Sequence, residues 1–384
     1  MALLLIAVAL LVAGCHEPTQ GAQDVVVRGP YLQQTGMTST YVVWQTSRPL
    51  AGAIHWGEES TDEHVELAPD ALTMQAVQLR GLSPGTSYVY RVSAGDETTR
   101  PFRFTTAKQG AVPFTFGAIG DFGTGSTPEY RNAALLEGEA PDTLLTLGDN
   151  AYPLGLKREY PAVVFTPFDP LMRRITVWPT LGNHDYGNEG ESFRNTAQAY
   201  LDTFVLPDRP GRERYYSFRY ANAEFLAIDS EVTSFAPGSP QYRWIDRTLG
   251  RSGACWKIPY FHHPVHAEYV HPTLMDVAKQ ADLQRWLVPV FERHGVKLVL
   301  TGHEHNYVRT KRLLHGRPDP QGVVYIISGG GGGALEALPA HATPSTAVRG
   351  RFFHHLLISV AGRRAEVRAV DTAGRVRDRV RLAC

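Results

Sequence analysis

From residue 25 to residue 106 the apolar positions fall in short runs rich in β-branched and aromatic residues, with no stripe at helical spacing. Residues 40–46, 53–56, 87–93 and 101–106 each read as a strand, and Leu82-Ser83-Pro84-Gly85 is a turn signal ahead of the third. Short strands at this spacing predict an all-β sandwich over residues 25–106. Residues 107–112 form a small polar, glycine-containing linker, and beyond it the pattern changes. Residues 114–119, 143–147, 175–178, 225–228, 256–261 and 297–300 are apolar runs of buried-strand length, and residues 128–139, 241–249 and 281–294 read as helices between them. Strands alternating with helices predict an α/β domain over residues 113–384. Three later runs, at 323–328, 354–360 and 365–370, read as consecutive strands and argue against a purely parallel sheet.

The residues just past the strand ends carry the chemistry. Gly120-Asp121-Phe122-Gly123 comes after the first strand of this second region, Gly148-Asp149-Asn150-Ala151-Tyr152 after the second, and Gly182-Asn183-His184-Asp185 after the third and a short Pro-Thr-Leu. Two later strands run into His262-His263-Pro264-Val265-His266 and Thr301-Gly302-His303-Glu304-His305. In open α/β sheets ligands collect at the carboxyl ends of strands, and a glycine before a ligand permits a sharp turn and close backbone approach. Carboxylates, amide and imidazoles without thiolates suit transition metals and exclude a cysteine-built zinc knot. Taken singly each is weak, since a strand-end Gly-Asp is usually a turn and a lone histidine usually a satisfied polar residue. Five in this order are a poor fit to coincidence.

These motifs, in this order, resemble the set of the metallophosphoesterases, and Tyr152 three residues after Asp149 narrows the resemblance to purple acid phosphatases. Arg28-Gly29-Pro30-Tyr31-Leu32-Gln33 resembles the opening of that family's N-terminal sandwich, and residues 81–90 resemble a fibronectin type III segment. The resemblance implies a four-layer sandwich of two mixed sheets flanked by helices. It implies a first, ferric ion held by Asp121, Tyr152 and His305, with Asp149 bridging to a second ion. That second ion, zinc, manganese or ferrous iron, would take Asn183, His262 and His303. His262 is preferred over His263 because it stands two residues before Pro264. The implied activity is hydrolysis of phosphomonoesters by a metal-bound hydroxide at a dinuclear centre, with His184 holding the phosphate or moving a proton. His266 and His271, on the loop after His262, are candidates for donating a proton to the leaving group, and Glu268 is a further one. Asp185 stands where many members carry glutamate and would support a neighbouring histidine. The Gly329–Gly333 run reads as a backbone turn without catalytic side chains.

Residues 2–13 are almost wholly apolar, of signal-peptide length and too short to span a bilayer as a helix. The run ends in Val12-Ala13-Gly14-Cys15, which resembles a bacterial lipobox, although no Lys or Arg precedes it. This implies an exported protein anchored by lipid on Cys15 to a bacterial membrane, on its periplasmic or cell-surface side. A plain secretory signal or a buried N-terminal helix is the alternative. With Cys15 lipidated, Cys255 and Cys384 remain, either paired in an oxidising compartment or free and buried. Lys plus Arg and Asp plus Glu are both 38, so no nucleic-acid partner is expected. Two other readings stay open: a phosphodiesterase or nucleotidase on the same ligands, and a non-catalytic surface lipoprotein whose sandwich binds a partner.

Overall fold

The computed structural model describes residues 25–187, 196–209 and 212–384. The expected signal and Cys15 lie outside these residues. The N-terminal part is a β-sandwich. One sheet holds Val26–Gln33, Ser39–Leu50 and Leu72–Arg80; the other is built on Gly52–Gly57 and Ser87–Ala94, with His64–Leu67, Glu97–Thr98 and Phe102–Thr105 at their sides. Alternation explains it: Val42, Trp44, Tyr88, Tyr90, Phe102 and Phe104 face inward and are buried together. His55 bonds Ser93 across two strands and His64 is exposed, so neither approaches the ligand set.

The larger part holds two mixed sheets. In the first, the order is Val177–Trp178, Thr143–Thr146, Phe114–Ile119, His354–Ala361, Arg364–Asp371, Val376–Ala383. In the second it is Tyr216–Tyr220, Ala223–Ala227, Trp256–Tyr260, Leu298–Thr301, Val324–Ser328, Tyr307–Thr310, Thr346–Gly350. Their apolar faces meet: Phe116 lies edge-on to Phe225 at 5.1 Å, and Trp178 stacks on Phe218 at 3.9 Å. Helices cover the outer faces. Thr127–Glu139 and Thr166–Met172 contribute Leu136, Phe168 and Leu171 to the core on one side. Pro240–Arg251 and Val288–Arg293 contribute Trp244, Leu249 and Phe291 on the other. This is the mixed-sheet sandwich expected from the sequence.

Three particulars differ from the sequence reading. Of the three late runs, Val324–Ser328 belongs to the second sheet and His354–Ala361 and Arg364–Asp371 to the first, with Thr346–Gly350 between them in the chain. The helix expected at 281–294 starts earlier, at Leu274, because Thr273 and Asp276 form a capping box there. The strand at 175–178 shortens to Val177–Trp178, paired only on one side, where it leads straight to Asn183. No helix among the described residues is long and apolar enough to cross a membrane.

Candidate metal centre

Phe114–Ile119 runs parallel to Thr143–Thr146, and Trp256–Tyr260 runs parallel to Leu298–Thr301. Their carboxyl ends therefore open at one end of the molecule, and a hydrogen bond from Gly120 N–H to the Ser328 carbonyl, 3.1 Å, ties the two sheets together there. Asp121, Asp149 and His303 all adopt positive φ (57°, 52° and 73°), a region that side chains with a Cβ enter at some cost. Such strain at three residues of one cluster marks a site whose aim is set by its surroundings. The preceding glycines have a second reason to be glycine. A Cβ on Gly182 would strike the Asp149 carboxylate, and one on Gly302 would strike that of Asp121. The Gly329–Gly333 run lies flat on the first ligand loop, with N–H groups of Gly331, Gly332 and Gly333 on the carbonyls of Gly120 and Asp121.

The seven residues expected as ligands come together. Tyr152 Oη donates to Asp149 Oδ2 at 2.8 Å and lies 3.4 Å from Asp121 Oδ1 and 3.0 Å from His305 Nε2. Asp121, Asp149 and His305 offer atoms all within 4.8 Å of one another. On the other side, Asn183 Oδ1 is 2.9 Å from His262 Nε2 and 3.3 Å from His303 Nδ1. Asp149 stands between the halves: Oδ2 meets Tyr152, while Oδ1 lies 3.5 Å from His262 Nε2 and accepts the His184 N–H at 2.9 Å.

The outer nitrogens of the rings decide what the inner ones offer. His262 Nδ1 donates to the Leu147 carbonyl at 2.9 Å, and His305 Nδ1 to the Ala334 carbonyl at 2.9 Å. His303 Nε2 donates to Asp276 Oδ1 at 2.8 Å. In its neutral form each ring thus turns a lone pair inward. His262 Nε2 and His303 Nδ1 end 3.1 Å apart with the Asn183 oxygen beside both. Three acceptors without a proton among them fit a cation and little else. The field on the other side agrees. Burial opposes charge on His305, but the bond and charge of Asp121, with Glu336, outweigh it and hold its pKa up to about 9. Burial and the charges of Asp149 and Asp121 drive the Tyr152 phenol well above its usual range, so its anion needs a cation alongside. The donor set therefore fits metal ions.

Of the proton-handling candidates, His184 lies at the centre, its ring 4.1 Å from that of Tyr152, its Nδ1 on the Pro153 carbonyl at 2.7 Å and its Nε2 3.8 Å from Asp149. His271 lines the cleft in front of Asn183 and His303. His266 does not: its ring packs on Tyr325 at 4.8 Å, and burial lowers its pKa to about 4. Its expected place in the site is corrected accordingly. Glu268 reaches the cleft wall, but Arg349, Thr343 and Thr346 hold its carboxylate. Asp185 bonds Tyr160, Gly182 and Asn150 rather than a histidine, and burial with Asp149 nearby pushes it up to about 7. His263 is buried with its Nδ1 2.6 Å from Glu231, yet it also offers a ring nitrogen within 4.8 Å of ligand atoms of Asp276 and His303. Sequence reading missed Asp276, the carboxylate behind His303. Its signal, Thr273-x-x-Asp276, announces a helix start and nothing more.

Residues 114–307 match the family model for calcineurin-like phosphoesterases. The chain is 26% identical over 316 residues to Fe(3+)-Zn(2+) purple acid phosphatase 12 of Arabidopsis thaliana, covering 72% of this chain and 64% of that protein, so it spans less than two thirds of that relative. It is 25% identical over 366 residues to the purple acid phosphatase of Glycine max, covering 84% and 76%. The structure of purple acid phosphatase PPD1 from yellow lupin (Lupinus luteus) seeds superposes with a TM-score of 0.79 at 16% identity, over 92% of this chain and 74% of that one.

Proposed function

The chain belongs to the calcineurin-like phosphoesterase family, and we propose that it hydrolyses phosphate monoesters at a two-metal centre of the purple acid phosphatase kind. The observation that carries this is the convergence of the side-chain oxygens and ring nitrogens of Asp121, Tyr152 and His305 on one side of Asp149 and of Asn183, His262 and His303 on the other. We assign the first set to a ferric ion and the second to zinc, manganese or ferrous iron. Such an ion pair, when bound, acidifies water and neutralises charge on the transferring phosphoryl group.

The chain's own residues do the rest. His184, its Nδ1 donating to the Pro153 carbonyl, donates from Nε2 to a phosphate oxygen next to Asp149 when the ring carries both protons. His271, on the wall of the cleft, is placed to give a proton to the leaving alcohol. We further propose export with lipid on Cys15, and a fibronectin type III-like spacer in the N-terminal sandwich. The bond between Cys255 and Cys384, Cα atoms 5.6 Å apart, supports an oxidising compartment.

Metal content and visible absorption of the chain expressed from residue 16 test the reading. Two ions per chain including iron, with a visible band lost in Tyr152→Phe and turnover of phosphomonoesters above that of diesters, are the expected result. A band that survives Tyr152→Phe removes the phenolate assignment. Absence of metal after reconstitution overturns the catalytic reading.

A further inference from the structure

The cleft in front of the proposed second ion has a volume of about 460 Å³, ample for a small organic phosphate. Its walls differ in kind from the ligand cluster. Tyr269, Val270 and Ala337 line the cleft, the Tyr269 ring 6.3 Å from that of His303. Val270 is 40% exposed, and Leu274 and Met275, which follow it in the chain, are 91% and 41% exposed.

The charges matter as much. Among the described residues no lysine or arginine lines this cleft. The nearby arginines are engaged behind the wall, Arg349 on Glu268 and the Ala340 carbonyl, Arg351 on the Leu335 carbonyl. Of the carboxylates in the lining, Glu268 is paired with Arg349, Asp276 is bonded to His303 and Thr273, and Glu304 is buried under the Glu268 N–H. Glu336 is left: exposed, without a salt bridge among the described residues, one oxygen 3.3 Å from the His305 N–H. A substrate entering with its phosphate on the metal side meets this carboxylate at the mouth.

Resting on the proposed function, we propose that the cleft selects phosphoesters with an uncharged apolar or aromatic leaving group, and that Glu336 discriminates against esters carrying a further negative charge. Val270 supplies the apolar contact. Polyphosphates and phosphorylated carboxylic acids are then poor substrates, and aryl or alkyl monoesters good ones.

The test uses the metal-loaded chain at one fixed pH, the same for every variant and ligand. Binding of phenylphosphonate and 4-carboxyphenylphosphonate is measured by calorimetry, and turnover of the matching phosphate esters alongside. A like charge at the mouth should weaken binding and kcat/KM for the carboxylated partner roughly three- to tenfold in low salt, less as salt screens it. Glu336→Gln should bring both ratios near one, and Glu336→Lys should invert them. Val270→Ser should reduce the preference for phenyl- over methylphosphonate by about threefold, the transfer worth of a lost apolar contact. Equal binding of the two phosphonates by the unaltered chain, or a ratio indifferent to both Glu336 substitutions, overturns the inference. Phosphonate selectivity with no ester turned over would leave the selectivity standing and sink the proposed hydrolysis.

Discussion

A ring nitrogen serves a cation only as well as the ring is held, and Asp276 holds His303. One carboxylate oxygen accepts the Nε2–H, and the other accepts from the N–H and hydroxyl of Thr273 at 2.7 and 2.8 Å. Burial works against its charge, but those bonds outweigh it and keep the carboxyl well below its usual range. Asp276→Ala is expected to weaken metal binding on the Asn183–His262–His303 side about 10- to 100-fold while the Tyr152 side stays loaded, as read by chelator titration with separate detection of the two ions. Thr273→Val, which breaks the cap and spares the carboxylate, distinguishes causes: an equal loss there would assign the effect to the helix. The ligands themselves are legible in the sequence because each comes after an apolar strand run, and all but His262 also after a short glycine-containing turn, a pattern that only this fold end explains. Their supports are not legible. The carbonyls of Leu147 and Ala334 that set two tautomers are backbone atoms that any residue would bring. Asp276 is far from His303 in sequence, and the helix it opens is hard to see in the chain because Leu274, Met275 and Val277 point to solvent.

Between Phe114–Ile119 and Thr127–Glu139 runs the connection that carries Asp121, and the helix's own first turn closes it. The Glu129 carboxylate accepts the N–H groups of Thr124 and Gly125 at 2.9 and 2.6 Å. Burial nevertheless pushes its carboxyl up to about 8, from 4.5 for an exposed glutamate. The native chain therefore keeps a proton there that the unfolded chain loses above about 4.5. The stability this contributes is complete below that value and is lost as the pH rises through about 8. Glu129→Gln, neutral at every pH, should therefore gain on the unaltered chain between about pH 5 and pH 8, seen as a melting-temperature difference that grows with pH. A difference constant over that range would show the carboxyl ionised throughout. Element existence is largely readable in the chain, and sheet membership is not. Val324–Ser328 and His354–Ala361 have similar apolar runs, and only their partners, Leu298–Thr301 and Phe114–Ile119, separate them into two sheets. Val376–Ala383 escapes the pattern because, as an edge strand, it exposes Arg377, Arg379 and Arg381 and offers no apolar run.

At the scale of the molecule, the two sheets are fastened at both ends. The ligand cluster and the Gly120–Ser328 bond join them at the open end. At the other, Cys255 precedes Trp256–Tyr260 of the second sheet and Cys384 comes after Val376–Ala383 of the first. A third tie crosses partway, where Asp378 accepts from Arg309 at 2.6 Å and from Tyr307 at 2.7 Å. The N-terminal sandwich braces the same body, through Tyr31 on the Thr203 carbonyl and Tyr90 on that of Arg173. The disulfide closes a loop of 129 residues in sequence, and removing such a crosslink costs about 2–5 kcal/mol. Cys384→Ser, paired with Cys255→Ser to avoid a stray thiol, should lower unfolding stability by that order. The His262 end of the strand after Cys255 lies roughly 17 Å away at about 3.3 Å per residue, and Asp378 still holds the terminal strand. Metal content and kcat should therefore stay within about twofold of the unaltered chain, since no ligand atom depends on the crosslink for its position. Denaturant melts and metal analysis on the same preparations read both quantities. A double serine chain that loses metal in step with stability would show that the two ends of the sandwich are mechanically coupled, and that the site is held by the closure of the sheets as much as by its own loops.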